Sequence, residues 1–438
     1  MHTLLFLDPG HFHAALTLRV PHPRVADEVF VYAPEGSAAG RPEARELPDF
    51  LALIERFNRR AEQPTHWRPV VTTCADPFAR LVDERRGDVV VLAGRNGGKA
   101  RTIRRLHEAG FHVLADKPWL VDPEDINHVR PSLADWPLVM EIMTGRHDVS
   151  ARLFKRLVDT PDVFGVFRGE PAIELESVHH LEKLVDGAPL RRPWWFFDVR
   201  VQGSGAVDIP THLVNQTQWL VDGTGVAPAA NAQLLSARAW STRVPGSAFH
   251  RITGHTDFPP ELRPFMDGDA LSYLCNAEIN YKMGPVTARA AARWDLSAPP
   301  GGGDASRVVA HGTRADILRE QGPHTGHRRR LFVEITNGSD RVAHALADTV
   351  ASWKTDLTGV GVEAAGSARY EVTIPAALDG GHETHFARVL DDFLHTIDEH
   401  RWPTALVERT LAKYTLLAEA AARTSADRAM LTVREENR

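Results

Sequence analysis

Cysteine is nearly absent: Cys74 and Cys275 are the only two in 438 residues and form no C-x-x-C pair. This excludes a disulfide framework and a zinc ribbon, and a reducing compartment is the expectation. No run of about 18 apolar residues occurs, so no membrane-spanning helix is expected. Charge of one sign never accumulates. The 51 Lys plus Arg and 57 Asp plus Glu are interspersed, leaving a formal charge of -6 and no basic stripe for nucleic acid. The opening Met1-His2-Thr3-Leu4-Leu5-Phe6-Leu7 lacks the basic and small-residue flanks of a secretory segment and reads as a first strand. A cytoplasmic protein with neither a membrane nor a nucleic-acid partner is expected. What remains is an ordinary globular composition, 43% hydrophobic and 25% charged, in a chain long enough for two or three domains without internal repeats.

The first 120 residues alternate short apolar runs with helical patterns. Strands are expected at 3–7, 28–32, 68–73, 88–93 and 112–115, with helices at 13–18, 48–60, 77–84 and 100–109. Val89-Val90-Val91-Leu92 has the unbroken apolarity of a parallel strand buried on both faces. After Pro118 the pattern changes to alternating segments at 270–296, 307–318 and 330–335, the signature of a mainly antiparallel sheet. Pro299 to Gly303 reads as a hairpin loop within it. Helical spacing of Phe386, Val389, Leu390, Phe393, Leu394 and Ile397, then a helix from Ala405 to about Ala422, close the chain. The expected fold class is α/β plus α+β: a Rossmann-like dinucleotide-binding domain over 1–120, and over 121–438 an α+β domain with an open sheet and closing helices.

Asp8-Pro9-Gly10-His11-Phe12-His13 stands where a G-x-G-x-x-G turn would let backbone approach a pyrophosphate, with one glycine of three present. Gly10, His11 and Phe12 are therefore candidate cofactor contacts, and a plain tight turn is the alternative. Glu35, past the second strand, suits a ribose hydroxyl. Asn96, in Ala93-Gly94-Arg95-Asn96-Gly97-Gly98, lies where small residues leave room for a flat ring.

Two motifs sharpen this reading. H-V-L-A-D-K-P at 112–118 closely resembles the H-V-L-x-E-K-P segment of the Gfo/Idh/MocA (glucose-fructose oxidoreductase and inositol dehydrogenase) family. G-S-G-A-V-D-I-P-T-H at 203–212 resembles that family's glycine-rich segment ending in D-x-x-x-H. The order of the motifs and the closing helices extend the resemblance over nearly the whole chain. Asp116 replaces the commoner Glu. The opening D-P-G-H-F-H-A-A-L resembles a branch of oxidoreductases within the family. The resemblance implies NAD or NADP and a sugar, glycoside or polyol substrate. Glu35 favours NAD by repelling a 2'-phosphate, while Arg95 keeps NADP open. It also implies that Lys117 touches the reacting oxygen and the cofactor, with Asp116 beside it, that Asp208 holds a substrate hydroxyl, and that His212 exchanges the proton. A homodimer or homotetramer is implied too, since an uncovered apolar sheet face would leave a large exposed patch.

Arg146, His179, His180, Trp195, Asp198 and His385 are the candidate substrate contacts, because aromatic faces beside hydrogen-bonding groups suit a pyranose. No metal is expected, since the two histidines of His382-Glu383-Thr384-His385 are three apart where H-E-x-x-H needs four. Two other readings remain open. One is a lyase, epimerase or glycosidase that recycles its cofactor through a transient keto-sugar. The other is a sugar or nucleotide sensor without chemistry.

Overall fold

The computed structural model describes residues 1–37, 45–185, 188–223, 231–299 and 302–436. They divide into two compact units, Met1–Thr144 with Gly381–Val407, and Gly145–Gly380 with Glu408–Arg438.

The first unit holds six strands, β1 (Leu4–Leu7), β2 (Glu28–Pro34), β3 (Arg68–Cys74), β4 (Val89–Leu92), β5 (His112–Asp116) and β6 (Val139–Ile142), in the order β3-β2-β1-β4-β5-β6. All neighbours are parallel. Every side chain of β1 and β4 is buried, each worth on the order of 2 kcal/mol of apolar transfer. Chain order reverses between β1 and β4, and the carboxyl edge at such a reversal is where open α/β sheets bind their ligands. The helices α1 (His13–Leu16), α2 (Glu46–Arg59), α3 (Pro77–Glu84) and α4 (Lys99–Glu108) fill the crossovers. α3 starts where it does because Asp76 accepts from the Ala79 amide at 2.9 Å and Pro77 takes a position whose N–H has no helical partner.

The expected boundary at residue 120 falls between β5 and β6, inside this unit. The helix His385–Asp398 also belongs here, with Phe386, Val389, Leu390, Phe393 and Leu394 packed into the same core as Phe6, Val91 and Leu114.

The second unit is built on a mixed, mostly antiparallel sheet. Its strands are β7 (Ile173–Glu182), β8 (Ala232–Pro245), β9 (Ala270–Met283), β10 (Val286–Ser297), β11 (Ala305–Ala310), β12 (Ala315–Gln321), β13 (Arg330–Ile335), β14 (Gly361–Ala364) and β15 (Arg369–Thr373). They run β8-β9-β10-β7-β11-β12-β13-β15-β14, and the short Met266–Asp267 pairs with β9. Only β10 and β7 are parallel among these neighbours. Pro300 and Gly301 lie outside the described residues, but the hairpin expected around them does not form. β10 and β11 flank β7 on opposite sides, so the connection passes from one neighbour of β7 to the other.

Helices Val149–Val158 and Pro210–Val221 pack on one face of the sheet, where the Tyr281 hydroxyl donates to Thr217 Oγ1 at 2.8 Å. The other face is not the apolar patch expected. It carries a ladder of cross-strand ion pairs, Arg289 with Glu278, Arg293 with Glu176, Arg330 with Glu371 and Arg369 with Glu334. The small cluster Val309, Leu318 and Phe332 lies among them, with the Arg369 guanidinium 4.0 Å from the Phe332 ring centroid. The case for a homodimer or homotetramer therefore rests on family resemblance, not on an uncovered apolar face. No helix among the described residues is long and apolar enough to cross a membrane.

Candidate active site

At the carboxyl edge of the parallel sheet the turns after β1 and β4 touch through their backbones. A Cβ on Gly94 would lie 2.7 Å from the Asp8 carbonyl oxygen, so only glycine fits there. The amides of Gly10 and His11 both donate to the Ala93 carbonyl at 3.0 Å. Asp8, where the glycine motif opens, takes a left-handed φ of 45°. Phe12 is exposed. His13, where the motif's last glycine would allow close helix packing, instead places a half-buried ring 4.5 Å from that of Phe386.

His13 Nδ1 donates to Asp116 Oδ2 at 2.9 Å, and His11 Nδ1 lies 3.5 Å from the same oxygen. Burial drives the His13 imidazole down to about 3 despite the adjacent Asp116 carboxylate, so the ring is neutral near pH 7. Burial alone would raise the Asp116 carboxyl, but the two histidines hold it well below the usual carboxylate range.

The other candidates in this unit gather around Asp116 or at neighbouring strand ends. The Lys117 amide donates to Asp116 Oδ1 at 3.0 Å, and the Lys117-Pro118 peptide is cis. Lys99 is buried, its Nζ donating to Asn96 Oδ1 at 2.6 Å and to the Asp116 carbonyl at 3.0 Å. Sequence reasoning missed Lys99, whose one signal was its place just after the Gly97-Gly98 pair. Glu35 is exposed and directly follows β2, two residues nearer the strand end than expected because β2 continues to Pro34. His385 is buried at the start of its helix, its ring 6.2 Å from that of His382, which in turn lies 3.2 Å from Thr144 Oγ1. Arg146, which belongs to the second unit, is half-buried in the turn Thr144–His147.

Within the second unit, the 203–212 segment is pressed onto the sheet. The Gly205 amide donates to the Leu274 carbonyl at 2.8 Å, and a Cβ on Gly205 would meet three Asn276 backbone atoms at 2.5 Å. Asp208 is buried in the turn before the helix Pro210–Val221, and His212 is half-buried in the first helical turn. The pair thus comes from a turn and a helix start, not from one helical face. Asp208 acts electrostatically on Arg192, Tyr273 and Cys275. Burial pushes the Cys275 thiol up to about 12, raises the Tyr273 hydroxyl and lowers the Arg192 guanidinium.

His179 and His180 converge on Asp304, at 3.3 and 3.5 Å, and Lys183 Nζ reaches the same carboxylate at 2.5 Å. Burial would raise the Asp304 carboxyl, but His179 and Lys183 hold it far below the usual range. His179 stacks on Trp294 at 4.8 Å, while the Arg192 guanidinium lies 4.5 Å from the Phe196 ring and 5.1 Å from that of Trp294. Asp304, hidden beside a glycine run, and Trp294, inside a strand pattern, gave no signal in the sequence. Trp195 is a buried member of its turn. Asp198 caps the helix Val199–Gln202 through the Arg200 amide at 2.9 Å and pairs with the Arg200 guanidinium at 2.7 Å.

Residues 153–425 match a family model described as "Putative oxidoreductase C terminal domain". A solved structure described as a "putative oxidoreductase" from Parabacteroides merdae is 35% identical, with 97% of this chain and 98% of that one covered at a TM-score of 0.91. The chain belongs to this oxidoreductase family, of the Gfo/Idh/MocA type. The fold is shared with levoglucosan dehydrogenase, solved with NADH and levoglucosan. That match has 16% identity and a TM-score of 0.58, covering 96% of this chain and 97% of that one. The fold is likewise that of KijD10, a 3-ketoreductase from Actinomadura kijaniata solved with NADP, at 14% identity and a TM-score of 0.55 with 95% of each chain covered. No curated protein matches the sequence.

Proposed function

We propose that the protein is an NAD(P)-dependent oxidoreductase that moves a hydride between a nicotinamide and a secondary alcohol or ketone of a sugar, glycoside or polyol. The observation that carries this reading is the carboxyl edge at the β1/β4 switch point, where Gly10, Gly94, Asn96 and Lys117 lie on adjoining strand ends of a family oxidoreductase. Neighbours of the same fold solved with NADH and levoglucosan, or with NADP, support the cofactor and the substrate class.

The residues present fit a dinucleotide. The β1 and β4 turns meet through glycine backbone that a Cβ would block, and Glu35 stands exposed directly after β2, placed for the adenosine ribose. Glu35 would repel a 2'-phosphate, which favours NAD, and Arg95 is 3.7 Å from Glu46. Gly10, His11, Phe12, Asn96, Asp116 and Lys117 are the remaining cofactor contacts in this reading. Held there, a nicotinamide would supply the acceptor for the hydride that leaves the substrate C–H.

The chain supplies the proton chemistry and the orientation. Lys117 Nζ stabilises negative charge developing on the substrate oxygen, and its backbone is anchored on Asp116. His212 takes the hydroxyl proton as the O–H bond breaks, and Asp208 orients a neighbouring hydroxyl. Stacked aromatic and cationic groups, His179 on Trp294 and Arg192 beside Phe196, offer a face and a rim suited to a sugar ring.

The test is calorimetry with NAD and NADP, followed by a sugar and polyol panel read by nicotinamide absorbance and by mass spectrometry. Binding of NAD with a panel member oxidised is expected. Binding of neither dinucleotide would overturn the reading. Product formed without net absorbance change would move the protein to the cofactor-recycling class.

A further inference from the structure

The turn after β1 and the end of β5 bring together three side chains to which the nicotinamide reading gives no part in hydride or proton transfer, although His11 and Asp116 stand among its cofactor contacts. Asp116 Oδ2 lies 2.9 Å from His13 Nδ1 and 3.5 Å from His11 Nδ1, and one ligand atom from each of the three residues falls within 4.8 Å of the other two. We propose that His11, His13 and Asp116 form a binding site for a divalent transition-metal ion, with Zn2+ or an ion of similar size and ligand preference as its occupant.

The geometry and the donor set both point this way. An ion bonded at about 2.0–2.2 Å to nitrogen and oxygen in a tetrahedral shell holds its ligands about 3.4 Å apart, and 2.9 and 3.5 Å bracket that spacing. Two imidazoles with one carboxylate suit zinc, cobalt, iron or nickel, whereas calcium and magnesium favour all-oxygen shells. Three protein ligands leave a position for water or another oxygen donor, the pattern of open rather than purely structural sites.

A hydrogen bond between His13 and Asp116 explains that pair without an ion, but it does not explain His11. The His11 ring packs edge-on against His13 with centroids 4.1 Å apart, and its Nδ1 is buried with no hydrogen-bond partner beside a carboxylate. Leaving a buried ring nitrogen unsatisfied costs stability that a shared ion would recover.

The surroundings hold the ligands in place, as outer contacts of metal sites do. The second oxygen of Asp116 accepts from the Lys117 amide, and the Asp116 carbonyl accepts from Lys99 Nζ. His13 is wedged against Phe386. His11 and His13 are also the residues by which this turn departs most in chemistry from a glycine-rich one. That departure gives the turn donor atoms that a glycine-rich turn lacks.

The experiment uses metal-free full-length protein without dinucleotide, titrated with Co2+ by visible absorption and with Zn2+ by calorimetry at neutral pH. One equivalent per chain is expected, with Zn2+ displacing Co2+. Binding should weaken at least about tenfold in both His11→Ala and Asp116→Asn, and stay unchanged in His344→Ala, a control at an exposed helix residue. His11→Ala is chosen because it leaves the contact of His13 with Phe386 intact, and circular dichroism checks its fold. No saturable binding up to millimolar metal, or equal affinity in the parent and His11→Ala, would overturn the proposal. Because no nicotinamide is present, the outcome is separate from that of the oxidoreductase reading.

Discussion

The two units place their polar groups by opposite rules. In the first, the central strands β1 and β4 are buried on both faces, so the polar groups of the candidate site stand at the strand ends, where Asp116, Lys99 and Asn96 are buried and bonded to one another. In the second, one face is covered by helices and the other displays an Arg–Glu ladder. Its candidate site residues instead come from a glycine-pinned turn and from histidines near the end of β7. The comparison separates two kinds of charge. Exposed ladder pairs are screened and worth little each, whereas buried groups such as Asp116 and Asp304 have their ionisation fixed by their neighbours.

The largest expected effect tests whether this division is also one of labour. His212→Ala should lower turnover by roughly two orders of magnitude or more, as loss of a general base does, and leave dinucleotide affinity nearly unchanged. Lys117→Ala, at the edge of the parallel sheet, should reduce turnover and weaken dinucleotide binding together. Steady-state kinetics with calorimetry on the same preparations reads both. Equal loss of cofactor binding in the two variants would show that the motifs form a structural cluster rather than separate machinery.

A smaller effect should break the second unit while sparing the first. In Gly205→Ala the new Cβ meets Asn276 backbone at 2.5 Å, and neither partner is a flexible side chain that can swing away. Overpacking of this kind costs about 1–3 kcal/mol. The expected result is a lower urea midpoint and lost turnover, with NAD still bound. A Gly205→Ala protein as stable and active as the parent would mean that the turn sits further from β9 than described.

The parallel sheet was largely legible because its signal is local. Val89 to Leu92 is a continuous apolar run, and the helix starts carry caps and prolines. β6 escaped because Glu141 interrupts its four residues, and a buried carboxylate looks like a surface position in sequence. β7 and β8 were missed for a related reason, since Glu174, Glu176 and the two histidines of β7 mask its alternation. The hairpin error at Pro299–Gly303 was topological: turn residues report that a chain turns, not which strand it then pairs with. At the candidate site, Lys117, Asp208 and His212 were singled out by motif alone. Asp304, Lys99 and the His11–His13–Asp116 cluster depend on contacts between distant segments, which spacing along the chain does not encode.

The smallest effect concerns the open face, where the comparison predicts weak coupling even for a well-placed pair. His311 donates to Asp316 at 2.9 Å and to Glu174 at 3.1 Å, and the bond to Asp316 above all, reinforced by Glu174, raises its pKa above the ordinary 6.5. A group whose folded value is raised binds its proton more tightly in the native state. Its contribution is therefore complete below the unfolded value near 6.5 and is lost as pH rises through the folded one. Because the pair is only partly buried, screening limits this to about 1 kcal/mol or less. The depressed carboxyl of Asp316 acts in the opposite range, below its ordinary 3.8, and does not interfere. Urea midpoints of the parent and His311→Gln, measured from about pH 6 to 8, should converge as pH rises, with the parent losing the small advantage it holds at the acid end. Curves that stay parallel would show that the His311 contacts are as weak as the rest of the ladder, and that burial rather than geometry decides which charges matter.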